Sequence, residues 1–268
     1  MINELALQAE ASQLAQQIFG HNIKKCNRFT NRLLNICARA QGKDFLLIHN
    51  PGGFGSTPLE LCLEWERSIV EGIRATIERL GYSSLLTQYF RSGHSWWARM
   101  WDLREQLRFF FRGKSSKAKI LAAELRFITR HLDSLGVILV GVSQGAAFGN
   151  AVMRQLDELQ HIYSIELGIL FVHMSRRVIT ERTLAIDSNG VVPDAVMELN
   201  IPTIIKAYFM APFRWIRYRL EGKPRKFTDC INVPGHEYSW EYPEVQRQIR
   251  DFLNLNFGTE SNVEVGLS

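Results

Sequence analysis

The sequence predicts an α/β fold, a mostly parallel central sheet with helices on both faces, and three observations carry that expectation. Two short apolar runs, Phe45–His49 (FLLIH) and Gly136–Val142 (GVILVGV), are uninterrupted rather than alternating, the pattern of strands buried on both sides. Between such runs lie stretches with apolar residues at helical spacing, so strand and helix alternate as they do in βαβ units. A chain of 268 residues that is 46% hydrophobic can bury one sizeable core, so residues 1–268 are expected to form a single domain.

The elements follow in order. Leu14 and Ile18, then Leu33, Ile36 and Cys37, recur at helical spacing, which predicts an N-terminal helical extension over residues 1–42. Gly42 breaks that pattern, and the α/β core is expected over 43–256. Phe45–His49 reads as a buried strand running into the tight loop NPGGFG. Thr57–Leu80 is a long helical pattern closed by Gly81, and Ser84–Phe90 is the next strand. Beyond it, Ser116–Leu132 reads as a helix, Gly136–Val142 as a strand, Gln144–Leu159 as a helix and Ile165–His173 as a strand. An irregular segment Arg176–Leu199 precedes strands at Thr203–Phe209 and Asp229–Val233 and a helix at Glu241–Leu255. Lid-like segments are expected near 91–113 and 174–226, and residues 257–268 as a mobile tail.

Composition narrows the function classes. The first twenty residues carry Glu4 and Glu10 where a signal peptide would be basic, and the longest apolar runs fall far short of the roughly 20 residues that cross a bilayer. The four cysteines, Cys26, Cys37, Cys62 and Cys230, form no CxxC pair and no metal-ligand cluster, so reduced thiols in a cytoplasmic setting are expected, with no metal. The net charge of +5 is concentrated in Lys24–Arg39 and Lys206–Lys226, but no nucleic-acid-binding motif accompanies it, and no nucleic-acid partner is expected.

The chemistry centres on Gly141-Val142-Ser143-Gln144-Gly145, a G-x-S-x-G pattern between an apolar strand and a helix. A serine lifted above a sheet on such a turn needs small residues two positions either side, and Gly141 and Gly145 supply them. A serine hydroxyl also needs a base, and of the seven histidines only His236 follows a late strand and precedes a helix.

These residues resemble the α/β-hydrolase superfamily over about residues 43–256. FLLIHNPGG is similar to the family's strand and oxyanion loop, Asn200–Tyr208 (NIPTIIKAY) to its penultimate core strand, and Val233-Pro234-Gly235-His236-Glu237 to the loop of its catalytic histidine. The resemblance implies Ser143 as nucleophile, His236 as base, and Gln144 N–H as one oxyanion donor. The second donor is expected from Gly52 or Gly53, because Asn50 stands where the family commonly has glycine and Pro51 has no N–H. The usual acid position falls in Phe209-Met210-Ala211-Pro212-Phe213, which holds no carboxylate. Asp187, Asp194 and Asp229 remain, and Asp187, directly after the apolar stretch Leu184-Ala185-Ile186, is favoured; a Ser–His dyad is the other arrangement, and a fold without catalysis a third.

The expected function is therefore a serine hydrolase acting on a small-molecule carboxylic ester or thioester with a hydrophobic acyl group, with no cofactor. An acyltransferase using the same acyl-enzyme and a non-catalytic binding module are the alternatives. Aromatic and basic residues are interleaved in Arg91–Arg112 and in Phe209–Lys226. In the second, Phe213, Trp215, Ile216 and Tyr218 lie among Arg214, Arg217 and Arg219, which suits a lid or peripheral contact with an anionic membrane surface.

Overall fold

The computed structural model describes residues 4–92, 105, 108–156, 158–222 and 230–258. Trp96, Trp97, Trp101, Lys223, Arg225, Lys226, Asp229 and the tail beyond 258 lie outside them. The strands are β1 (Phe45–Asn50), β2 (Ser84–Gln88), β3 (Gly136–Val142), β4 (Ile162–Leu167) and β5 (Thr183–Ile186). They form one sheet in the order β2-β1-β3-β4-β5, and every neighbouring pair is parallel. The α/β architecture with helices on both faces is what the chain forms.

Uninterrupted apolar strands become intelligible once the two faces are separated. Leu46, Ile48, Val137 and Leu139 point to one core with the helices α1 (Glu4–Phe19), α2 (Ile23–Ala40), α4 (Ser116–His131) and α5 (Gln144–Met153). Phe45, Leu47, Ile138, Val140 and Val142 point to the other, against α3 (Glu64–Arg79) and the helix Pro243–Phe257. With successive side chains on opposite faces, a strand covered on both must be apolar at each position. Full burial of each Leu or Ile contributes roughly 1.5–3 kcal/mol. The N-terminal extension thus helps close a face of the sheet: Phe29, Leu33 and Cys37 of α2 are buried against it.

Four sequence expectations are corrected. Thr203–Phe209 is not a strand but lies in a 20-residue helix, α7 (Ile201–Leu220), which follows the short helix α6 (Phe171–Met174). The Pro-Thr pair that suggested a strand is a helix start: Asn200 Oδ1 caps it by accepting from Thr203 N–H at 3.2 Å, and Pro202 sits in the first turn, where its missing N–H is harmless. Ile165–His173 divides into β4 and α6, because Gly168 turns the chain at φ +55° just after the strand. Cys230–Val233 is not a strand, and the segment expected to be irregular contains β5. Ends also shift: α5 stops at Met153, and the long helix expected from Thr57 is a 3-10 turn at Leu59–Leu61 followed by α3. The final helix, α8, spans Pro243–Phe257. No helix of the described residues is long and apolar enough to cross a membrane.

Candidate active site

In an open parallel sheet, ligands bind beyond the carboxyl ends of the strands where the strand order reverses, because the loops there diverge and leave a crevice. In the order β2-β1-β3-β4-β5 that place is between β1 and β3. The loop after β1 is Pro51-Gly52-Gly53, and the residue after β3 is Ser143. Ser143 stands at φ 56° and ψ −118°, one of two described residues other than glycine with positive φ. Such a conformation costs on the order of 1–3 kcal/mol and is held by its surroundings. The surroundings are glycine: a Cβ on Gly141 would lie 2.5 Å from the Gly145 carbonyl, and one on Gly145 would lie 2.0 Å from the Asn50 carbonyl oxygen. Gly145→Ala should therefore push α5 away from the β1 loop, at more than about 3 kcal/mol, and a thermal melt reads that loss directly.

The β1 loop is fixed from beneath. Glu66 on α3 accepts from Gly52 N–H at 3.1 Å and pairs with His49 Nε2 at 3.0 Å. Gln88 takes Leu59 N–H on its oxygen at 2.9 Å, so its amide nitrogen faces His49 Nδ1, also at 2.9 Å. That assigns the imidazole proton to Nε2, which donates to Glu66. Cys62 Sγ lies within 4.8 Å of a ring nitrogen of His49 and a carboxylate oxygen of Glu66, a ligand-like trio. From the other side the fully buried Arg91 donates through Nη2 to the carbonyls of Pro51 at 2.6 Å and Gly53 at 2.8 Å. Its desolvation pulls the guanidinium down to about 9, with Glu66 opposing.

Of the two expected oxyanion donors in this loop, Gly52 has its N–H committed to Glu66. Gly53 remains. The Gly52 carbonyl accepts from Gly55 N–H at 3.0 Å, and a planar trans peptide then turns the Gly53 N–H to the opposite side. Gln144 opens α5, so its N–H lies at the positive end of that helix.

His236 Nδ1 is 2.8 Å from Asp194 Oδ2. Tyr238 O–H donates to the same oxygen at 2.8 Å, and Val196 N–H and Met197 N–H donate to Oδ1 at 2.8 and 3.3 Å. Asp194 is buried, which alone would raise its carboxyl; the bonds from His236, Tyr238 and Val196 outweigh burial and hold it below the usual carboxylate range. Burial and the adjacent Asp194 push the Tyr238 hydroxyl well up, so it remains a donor. A carboxylate on Nδ1–H leaves Nε2 with its lone pair, the tautomer a general base needs.

Asp187 is engaged elsewhere. Both its oxygens accept from Arg177 Nη1, at 2.7 and 2.8 Å, while Arg177 Nε donates at 2.8 Å to Glu166, which is fully buried on β4. Burial pushes the Glu166 carboxyl up, and Arg177, Asn150 and Ser164 pull it back. Asp187 thus closes an ion-pair relay rather than orienting the histidine.

The serine and the histidine reach the same end of the sheet through a short chain of contacts. Ser143 N–H donates to the Leu167 carbonyl at 2.8 Å; on the next residue, Gly168, a Cβ would meet the Tyr238 ring at 2.5 Å, and Tyr238 holds Asp194. Among the described residues the Ser143 hydroxyl makes no hydrogen bond, to His236 or otherwise. His236 lines a cleft of about 530 Å³ whose walls include Leu63, Trp65, Arg214, Tyr218 and Ile231.

A buried basic group stands nearby in the fold. His173 of α6 stacks on Phe109 with ring centroids 4.7 Å apart, and its Nε2 is buried without a partner. Desolvation first, then Arg176, Arg154 and Arg91, pull it down to about 4. Below the ordinary imidazole range the unfolded chain binds a proton that the folded chain refuses. Stability from this group is therefore complete above about pH 6.5 and lost as pH falls towards 4, by on the order of 3 kcal/mol. Glu166, shifted upward, slopes the other way, so the test is the difference between wild-type and His173→Phe stability profiles, which should fade above about pH 6.5.

Sequence reasoning weighed Asp194 without preferring it and missed Arg91, Glu66, Glu166 and Arg177. For Asp194 one signal was available: Pro193-Asp194 before Ala195-Val196 has the form of an Asx turn, the role its Oδ1 takes. No protein-family model matches the chain, and no curated protein matches it in sequence.

Proposed function

We propose that this protein is a serine hydrolase of the α/β-hydrolase type that cleaves a carboxylic ester or thioester with a hydrophobic acyl group. The observation that carries the reading is the 2.8 Å pairing of His236 Nδ1 with the buried Asp194 carboxylate, at the strand ends where Ser143 occupies its strained turn. Ser143 Oγ attacks the acyl carbonyl while His236 Nε2 takes its proton. The oxyanion is received by Gln144 N–H and Gly53 N–H, and collapse expels the alcohol or thiol, which takes the proton from Nε2. Water then attacks the acyl-enzyme, His236 removes its proton, and the carboxylic acid leaves as Ser143 is restored. The strand order supports the same reading, since it puts the serine turn and the glycine loop on adjacent strands. The His236 cleft is mixed: Leu63, Trp65, Tyr218 and Ile231 stand in it beside Glu64, Arg67, Glu71 and Glu241, and Ser143 does not line it.

Burst and steady-state hydrolysis of p-nitrophenyl esters of graded acyl length tests the proposal. Wild-type turnover should disappear in both Ser143→Ala and His236→Ala, and an activated fluorophosphonate should label the wild type and not Ser143→Ala. A wild type that neither turns over esters nor takes the label would overturn it.

A further inference from the structure

Helix α7 is built inside out for a helix packed on a protein. Its fully buried residues are Ala207 and Ala211, and the side facing the molecule continues with Arg214 and Tyr218, which line the cleft beside His236. The opposite side carries Ile205, Phe209, Phe213, Ile216 and Leu220, spaced i, i+4, i+8, i+11 and i+15. They form a single stripe, exposed at 49, 74, 66, 51 and 84%. A soluble helix turns such a stripe inward; here it faces away from the core, in a run of large side chains that a monomer in water rarely leaves open.

Charge says what the stripe fits. Lys206 and Arg217 flank it on one side and Arg219 on the other, and from Ile201 to Leu220 there is no carboxylate. Arg219 lies over the Trp215 ring, its Cζ 4.1 Å from the centroid. Arg214, grouped by sequence with the exposed cations, is turned the other way: it donates to the carbonyls of Cys230 and Asn232, both at 3.3 Å. The exposed Arg217 pairs with Glu221 just beyond the helix, an i,i+4 contact too weak to remove it from other anions. An apolar stripe edged by cations on both sides is the pattern of a helix lying in a bilayer interface, its large side chains among acyl chains and its cations at anionic headgroups.

We propose that α7 docks this protein on the surface of an anionic lipid bilayer, parallel to the membrane plane, through Ile205, Phe209, Phe213, Ile216 and Leu220 with Lys206, Arg217 and Arg219 at the headgroups. The proposal does not rest on the hydrolase reading. If both hold, Arg214 and Tyr218, on the inner side of the same helix, put the His236 cleft beside the lipid surface.

Flotation with vesicles of phosphatidylcholine and about one-third phosphatidylglycerol tests it, since both the apolar and the charged contributions are then present. The wild type should float with these vesicles and much less with phosphatidylcholine alone, and added salt should weaken the binding. Phe209→Glu with Phe213→Glu should lower binding more than tenfold at unchanged thermal stability, because both side chains stand in water. Lys206→Gln, Arg217→Gln and Arg219→Gln together should reduce binding to the level seen without phosphatidylglycerol. Absence of wild-type binding to the anionic vesicles, or binding indifferent to the paired Glu substitutions, would overturn the proposal. So would a wild type that sediments as a dimer, ignores vesicles and becomes monomeric in the Glu variant, which would assign the stripe to a second copy of the chain.

Discussion

Asp194→Asn is expected to lower kcat/KM for the proposed ester hydrolysis by about 10³–10⁴-fold, while Asp187→Asn leaves it nearly unchanged. The two aspartates flank one loop and are alike in sequence, so the contrast isolates geometry. The amide of the Asn variant could still accept, yet it could equally present N–H to Nδ1 and leave the ring in the wrong tautomer, and it would no longer stabilise the imidazolium that the proposed attack by Ser143 forms. The loss should fall on kcat more than on KM, because the interaction strengthens in the transition state. Asp194 also contributes to stability with a definite sign: its lowered carboxyl stabilises the fold above the ordinary carboxylate range, and the contribution is lost as pH falls through the lowered value. Steady-state kinetics of both variants decides the matter, and equal losses at the two positions would remove Asp194 from its assigned role.

The largest expected effect on stability is at Arg177. Its side chain is 4% exposed and lies between Glu166, fully buried, and Asp187. Arg177→Leu leaves the Glu166 carboxylate in the interior with Asn150 and Ser164 as its remaining hydrogen-bond partners among the described residues, and removing one member of a buried pair costs about 3–5 kcal/mol. For a chain of this size that lowers Tm by on the order of 10 °C. Adding Glu166→Leu to the same chain should recover part of the loss, since the stranded charge is then gone. Denaturant melts of the two variants give the comparison; a single-variant loss under about 1 kcal/mol would mean that water or a rearranged side chain reaches Glu166.

What could be read in advance follows physical lines. β3 was legible to the residue, because a strand covered on both faces must be apolar throughout and Gly141 with Gly145 announces the turn that follows. Ser143 came with it. β5 was legible only as the apolar stretch Leu184-Ala185-Ile186 that Asp187 would close, because four residues, Thr183–Ile186, are too few to show a period. α7 was misread because Ile204 and Ile205 carry strand propensity, while the stronger local signal was the Asn200 cap three residues before Thr203 with Pro202 between. Its apolar residues could not report which way they face. The choice between Asp187 and Asp194 is tertiary: it depends on Arg177 reaching Asp187 and on Tyr238 sharing Asp194 with His236, contacts that span 10 and 44 positions.

The ring of Phe45, at the start of β1, lies 4.7 Å from Phe257 and 5.3 Å from Tyr82, centroid to centroid. On a ribosome β1 is made well before α8, which supplies Phe257. Until α8 emerges, the face of the sheet that carries Leu47, Ile138 and Val140 has α3 to cover it but not Ile249, Phe252 or Leu253. Between the synthesis of β1 and that of α8 the nascent chain therefore holds an open hydrophobic surface, a natural substrate for holding chaperones, and the order in which its two faces close is set by translation itself.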